Sequence, residues 1–315
     1  MRAVLVTTFG GPEQARIART DLPVPGPGQV RIRNEALAVH PADLAVRAGH
    51  LAALLPEQSA YRLGWDTAGV VDAVGAGVES VRPGDRVIGL IHWFASRNGT
   101  HGDQAVLPAD AVAPAPAGLT AAEAVTLPLN GLTALQALDT AADTIGLREG
   151  GTLLVTGAAG GVGHFATQLA LHRGLRVIAV ARAGDRGQLL ALGAEFVEGA
   201  EDGADTAAAV RELVPAGVDA VLDTALTGAP LLAAVRADGL FLAVRPPAAP
   251  APERGIRVHV VDVRPDGGGL AALAELAEGG ALTTRIAAAY PLDQVAAAHA
   301  HAARGGVRGA VVLTV

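Results

Sequence analysis

No stretch constrains this chain more than Thr152 to Arg182, TLLVTGAAGGVGHFATQLALHRGLRVIAVAR. It opens with a short β-rich run, Thr152 to Thr156, that reads as a buried strand. Four glycines then fall within seven residues: Gly157, Gly160, Gly161 and Gly163. Apolar residues at helical spacing follow (Val162, Phe165, Ala166, Leu169, Ala170), and Arg176 to Ala181 reads as a second strand. Strand, glycine turn, helix and strand make the βαβ unit that holds a dinucleotide pyrophosphate. Glycines let the backbone turn tightly and approach the phosphates, while the first helical turn directs free N–H groups and its positive dipole end at them. Such clusters also arise for purely structural reasons. Set between a strand and a helix, this one is expected to bind a nucleotide through Gly157, Gly160, Gly161, Val162 and Gly163.

Around that unit, 315 residues suffice for two domains and a substantial core. The net charge of −7 is dispersed, with no basic stripe, which argues against nucleic acid or an anionic membrane as a partner. The opening MRAVLVTTFGGPE reads as strand and turn rather than a secretory signal, and no long apolar run escapes Pro, Gly or charge, so no membrane span is expected. Cysteine is absent, which removes disulfides, thiolate zinc sites and a cysteine nucleophile together. A cytoplasmic location is the default expectation.

The first 120 residues alternate short strands (Ala3–Thr7, Gln29–Ala36, Thr67–Val74, Asp85–Leu90, Gln104–Leu107) with turn clusters such as Pro25-Gly26-Pro27-Gly28, a pattern that suggests a small barrel. Pro108 to Leu119 reads as an extended connection, and Thr120 to Ala142 as a helix broken near Pro128. From Gly151 strands and helices alternate, the mark of a parallel sheet covered on both faces. Its later strands are expected at Phe196–Val197, Val218–Asp223, Leu240–Val244 and Ile256–Val263, and Gly267-Gly268-Gly269 precedes a helix, Leu270–Ala277. A closing strand, Gly309–Val315, is expected to return to the barrel.

Taken in order, the chain resembles the medium-chain dehydrogenase/reductase superfamily, and within it the zinc-independent quinone oxidoreductases. The resemblance is carried by Phe9-Gly10-Gly11-Pro12-Glu13, Val39-His40-Pro41-Ala42-Asp43, Gly64-Trp65-Asp66-Thr67-Ala68-Gly69, Arg82-Pro83-Gly84-Asp85, Leu127-Pro128-Leu129-Asn130-Gly131-Leu132-Thr133-Ala134, Gly157–Gly163, Leu192-Gly193-Ala194-Glu195 and Gly306–Leu313. It implies an α/β fold: a GroES-like β-barrel catalytic domain from residues 1–119 and 286–315, and a doubly wound Rossmann domain for NADP over 120–285. The substrate cleft would lie where the two meet.

Zinc-dependent members place a cysteine where this chain has His40, a Gly-His-Glu where it has Gly64-Trp65-Asp66, and a four-cysteine lobe that is missing here. His40 and Asp66 alone give too few ligands for a catalytic zinc, so no metal is expected. In many zinc-free relatives the His40 position carries Asn, and the resemblance makes His40 a donor to the nicotinamide ribose or the substrate carbonyl, or a proton source. A satisfied structural histidine is the competing reading. Asp43 is expected to order the same segment by bonding backbone N–H groups. Asn130, in the region that faces the nicotinamide in relatives, offers a donor and an acceptor to a carbonyl or ribose; a residue at a helix kink beside Gly131 is the alternative. Thr133 is assigned to packing.

Arg182 ends the second strand of the βαβ unit, where an NAD-preferring site shows Asp or Glu, and Arg186 follows. A guanidinium matches a 2′-phosphate, so the expected cofactor is NADPH, although Asp185 and Glu195 lie nearby. The expected cofactor set also takes in Thr224 and Val244, at the ends of two later strands. Ile91-His92-Trp93-Phe94, ahead of the loop Ala95–Gly102, is read either as a platform for a flat conjugated substrate or as a hydrophobic anchor. His299 and His301 do not share a helix face, so they make no metal site. These readings converge on an NADPH-dependent reductase of a quinone or of the β-carbon of an enone. A cofactor-binding protein with weak catalysis and a zinc alcohol dehydrogenase are the alternatives. The apolar edge strand Ile256–Val263 predicts a homodimer, with Arg257 and Asp262 placed to pair across a twofold axis.

Overall fold

Period-two alternation and its loss divide the chain into two kinds of sheet in the computed structural model, which describes residues 1–96 and 98–315. Strands β1 Arg2–Val6, β2 Arg16–Arg19 and β3 Gln29–Val39 precede helix α1 Pro41–Ala48. Next come β4 Tyr61–Arg62, β5 Asp66–Val74, β6 Arg86–Leu90, the single-turn α2 Trp93–Ser96, β7 Gln104–Pro108 and β8 Val112–Pro114. Helices α3 Ala121–Ala124 and α4 Pro128–Ile145 lead to β9 Thr152–Thr156, α5 Gly161–His172, β10 Arg176–Ala181, α6 Arg186–Ala191 and β11 Glu195–Glu198. Then follow α7 Gly203–Leu213, β12 Val218–Asp223, β13 Val235–Ala243, β14 Arg257–Val260, α8 Gly267–Glu278, β15 Ile286–Pro291, α9 Val295–Ala303 and β16 Ala310–Thr314.

Two compact units result: Met1–Leu132 with Arg264–Val315, and Thr133–Val263. The expected domains had assigned residues 120–132 and 264–285 to the cofactor part. Contacts place them in the first unit, because the start of α8 sits on the β8 region, where a Cβ at Gly267 would lie 2.6 Å from the Asp110 carbonyl. The three glycines do not precede α8 either. They form its first turn, and Asp266 caps it by accepting the Gly269 amide at 3.0 Å.

The first unit is the GroES-like barrel fold. Its larger sheet runs β15-β16-β3-β5-β6-β8, with β7 also paired to β3, and a smaller sheet runs β2-β1-β4. β3 shows how the alternation works: Val30, Ile32 and Asn34 point inward, while Arg31, Arg33 and Glu35 lie on the other face. Val30 and Ile32 pack with Val71, Val87 and Leu107. The closing strand β16 does return to this unit, antiparallel to β3. The break at Pro128 is also present: α3 ends at Ala124 and α4 begins at the proline. Sequence patterning missed α1, whose N-terminal Pro41 and C-terminal Gly49 in the left-handed region are helix-boundary signals in hindsight.

The second unit is a doubly wound sheet. Its six strands are all parallel, in the order β11-β10-β9-β12-β13-β14. β9 is buried along its whole length, as a strand covered on both faces must be. Strand order reverses between β9 and β12, and ligands of such sheets bind outside the strand ends at that point. Two expectations shift. A 3₁₀ turn over Ala229–Ala234 leads into β13, which starts five residues before the expected Leu240, and the edge strand β14 is shorter than the expected Ile256–Val263. No described helix is long and apolar enough to cross a membrane.

Candidate active site

At the reversal point the carboxyl ends of β9 and β12 are laced together. The Thr156 hydroxyl donates to Asp223 at 2.6 Å, the Thr224 hydroxyl donates to the Thr156 carbonyl at 2.6 Å, and Asp223 accepts the Gly228 amide at 2.8 Å. Gly157 leaves β9 with φ of +59°, a conformation that favours glycine. Gly163 serves by lacking a side chain: a Cβ there would lie 2.2 Å from the Gly157 carbonyl oxygen. Gly160 caps α5 without a side-chain partner, so the first amides of the helix keep their donors for an anion. Gly161 and Val162 form the first turn. These residues fit a dinucleotide, because Gly163 lets α5 pack tightly on the turn that leaves β9 while the first amides of the helix stay uncapped by any side chain, as a pyrophosphate site requires.

Arg182 follows β10 directly and is exposed, as is Arg186, whose guanidinium lies 5.4 Å from the centre of the Phe196 ring. Glu195, one of the nearby acids, is occupied by Arg176 at 2.6 Å. Val244 follows β13 and is half-buried, like Thr224. The glycine turn and Thr224 are therefore brought together; Arg182 and Arg186 sit at the end of the neighbouring strand.

In the first unit, His40 precedes α1 and is buried with its ring against Asp66 of β5. Nε2 and Asp66 Oδ2 are 2.6 Å apart. The second oxygen of Asp66 accepts the Leu129 amide at 3.0 Å, in the opening turn of α4 beside Asn130. Asn130 is itself buried, as is Thr133. Asp43 orders the segment as expected, accepting the His40 amide at 2.9 Å and the Gly64 amide at 2.8 Å. Burial disfavours the imidazolium of His40, but the adjacent Asp66 carboxylate offsets this and holds His40 above its ordinary value. Burial pushes the Asp66 carboxyl up as well, with His40 opposing it.

A zinc ion would need a third ligand converging on the same point, and His40 and Asp66 instead close on each other. Among the described residues no three His, Cys, Asp or Glu side chains are grouped to hold a metal. The residues do not fit a catalytic zinc. Trp65, beside Asp66, packs edge-on against Phe94 at 5.4 Å and His92 at 6.0 Å. Trp93 is the anchor of this segment, buried with its indole donating to the Arg62 carbonyl at 2.6 Å, whereas His92 and Phe94 are only half-buried. The expected loop 95–102 includes Arg97, which lies outside the described residues.

Sequence reasoning missed the Asp66 link between His40 and the start of α4; nothing in local patterning announces a pair formed between two distant segments. It also missed a buried group behind Asp43. His101 donates from Nε2 to the Ala38 carbonyl at 3.0 Å, while both ring nitrogens of His299 and the Arg47 Nε and Nη1 have no hydrogen-bond partner among the described residues. His301 faces away from His299, its ring 2.9 Å from the Tyr290 hydroxyl.

Comparison with known proteins agrees with this architecture. A family model described as an alcohol dehydrogenase GroES-like domain matches residues 26–137, and one described as a zinc-binding dehydrogenase matches 192–313. The chain is 35% identical over 204 residues to a chloroplast envelope quinone oxidoreductase homolog of Arabidopsis thaliana, covering 62% of this chain and 60% of that protein. It thus spans less than two thirds of that relative. A crystal structure of an NAD-dependent alcohol dehydrogenase superposes over all of both chains with a TM-score of 0.84 at 32% identity. A mycobacterial protein complexed with NADPH does so with a TM-score of 0.85 at 29% identity.

Proposed function

Because the chain belongs to the medium-chain dehydrogenase/reductase superfamily, in its quinone oxidoreductase branch, we propose that it uses NADPH to reduce a quinone or the β-carbon of an α,β-unsaturated carbonyl, without a metal. The observation that carries this reading is the glycine turn at the reversal point of the parallel sheet, with Arg182 at the end of the next strand where a ribose-binding acid would stand. When bound, NADPH supplies the hydride; the chain positions the reactants and handles the charge and the proton. The amides of Gly160–Gly163 and the dipole of α5 neutralise the pyrophosphate. Arg182 and Arg186 would hold the 2′-phosphate, and Thr224 and Val244 would border the cofactor. Asn130 donates to the acceptor oxygen as it gains charge, and His40 supplies the proton from its pair with Asp66.

His40→Ala or Asn130→Ala should lower turnover with a benzoquinone or an enone by about ten- to a thousandfold, with NADPH affinity nearly unchanged. Full turnover in both variants would return them to structural roles. NADPH should bind several-fold tighter than NADH, and Arg182→Ala should erase most of that difference, since a charged hydrogen bond contributes roughly 1.5–3 kcal/mol. Equal dissociation constants in the unmutated protein would refute this part. The similarity to an NAD-dependent alcohol dehydrogenase favours a second reading, alcohol oxidation with NAD, against which stand Arg182 and the lack of fit for zinc.

We further propose a homodimer through β14, which among the described residues pairs with β13 alone and leaves its other edge unpaired. The Val261 amide donates to the Ala243 carbonyl, so by alternation the Val260 amide faces the open edge. Arg257 does not stand free to pair across the twofold axis, because its guanidinium donates to the Thr144 carbonyl. Light scattering should report a dimer that Val260→Pro weakens; a monomer at micromolar concentration would defeat the idea.

A further inference from the structure

A fully buried carboxylate is costly unless each oxygen is matched, and Asp66 spends its two oxygens on two different parts of the chain. Oδ2 meets the His40 ring at 2.6 Å and Oδ1 accepts the Leu129 amide at 3.0 Å, while the Asp66 carbonyl accepts the Thr100 hydroxyl at 2.6 Å. The neighbouring Asp43 uses both its oxygens on backbone amides and so is not a rival partner for the ring. We propose that Asp66 is a positioning residue of the reductase site, a single carboxylate that holds the His40 imidazole and the helical turn bearing Asn130 in one geometry. This rests on the roles given to His40 and Asn130 above. A residue needed only to satisfy the Leu129 amide would do so as Asn or Thr, without the cost of a buried charge. A carboxylate does something those cannot. Because it accepts only, it keeps the His40 proton on Nε2 and makes the ring easier to protonate.

Asp66→Asn separates that role from a structural one. The amide oxygen can still accept from Leu129, but its NH₂ group then faces His40, which must become the acceptor at Nε2 and carry its proton on Nδ1, against the Asp43 backbone amide that the ring accepts in the capping box of α1. The other titratable groups around the ring, Asp43 from the start of α1 and His101 ahead of β7, stay unchanged, so the shift reports Asp66 alone. The experiment uses the full-length protein saturated with NADPH and a substituted 1,4-benzoquinone as acceptor. Turnover is followed against pH, and the ¹⁵N signals of the histidine rings are recorded, with His40 assigned by His40→Asn. Asp66→Asn should lower kcat by about ten- to a hundredfold, leave the NADPH dissociation constant within about twofold, and move the His40-dependent limb of the profile at least about one pH unit toward acid. In the unmodified protein, above the titration of His40, the ring proton should reside on Nε2; this arm needs no variant to fold. Wild-type turnover and pH profile in Asp66→Asn, or a neutral His40 protonated on Nδ1, would overturn the proposal. If Asp66→Asn is normal while His40→Ala and Asn130→Ala are crippled, the positioning role fails and the site reading stands. If neither of those two loses turnover, the site reading fails and takes this proposal with it.

Discussion

Replacing Gly163 with alanine is expected to reduce NADPH affinity by at least a hundredfold and to destabilise the second unit by about 1–3 kcal/mol, as overpacking against fixed backbone does. The added Cβ would stand 2.2 Å from the Gly157 carbonyl oxygen, 2.8 Å from its carbon and 2.9 Å from the Ala158 Cα. None of these atoms is the mobile end of a side chain. They belong to the turn that leaves β9, and Gly157 is itself held by the Thr224 hydroxyl across the end of β12. The strain can be relieved only by moving the start of α5 away from the turn, which spoils the alignment of the amides that meet the pyrophosphate. Gly187, in α6, provides the contrast: a Cβ there meets nothing within 4 Å, so Gly187→Ala should leave binding intact and add roughly 0.5–1 kcal/mol of stability through helix propensity. Fluorescence titration with NADPH and thermal unfolding of the two variants would decide it. A Gly163→Ala protein that binds NADPH normally would show that the turn does not set the approach of the phosphates.

The contrast also shows what can be read from sequence alone. The glycine cluster was legible because the strand before it and the helical period after it are local signals, each carried by neighbours in the chain. That β9, β10 and β12 run parallel in one sheet followed from the same rhythm; their order in it did not. What stayed hidden depends on residues brought together from far apart. Asp66 looked like half of a missing metal site, because nothing around Trp65-Asp66-Thr67 says that its oxygens reach the His40 ring and the Leu129 amide. Boundaries failed where propensity gave way to packing: the three glycines before Leu270 read as a loop, yet Asp266 caps them into α8 against the β8 region, where a side chain would not fit. Arg257 read as a free charge on an edge strand, and its partner, the Thr144 carbonyl, lies on a helix that no pattern in β14 reveals.

The protein should also lose stability steeply in mild acid, and His299 should account for a large share of the loss. His299 lies on α9, fully buried, with neither ring nitrogen hydrogen-bonded among the described residues. Burial pushes its imidazole down to about 3; Asp43 opposes this, while His101 and Arg47 add to it. Below its ordinary value of 6.5 the unfolded chain therefore takes up a proton at this residue that the native state refuses. By linkage, stability falls as pH drops through that window, by about 1.4 kcal/mol per pH unit once the unfolded histidine is protonated. His101, also held down by burial, acts in the same direction, and the raised His40 and Asp66 act against it. Subtracting a variant isolates His299. In His299→Leu the buried unpartnered nitrogens are gone, so stability at pH 7.5 should change little, whereas at pH 4.5 the variant should exceed the wild type by roughly 2–3 kcal/mol. Both tryptophans of the chain, Trp65 and Trp93, lie in the same unit as His299, so urea unfolding followed by their fluorescence reports on that unit. Parallel stability curves for the two proteins between pH 7.5 and 4.5 would mean that the native state accommodates a charged His299, and that the interior behind Asp43 is wetter than its packing indicates.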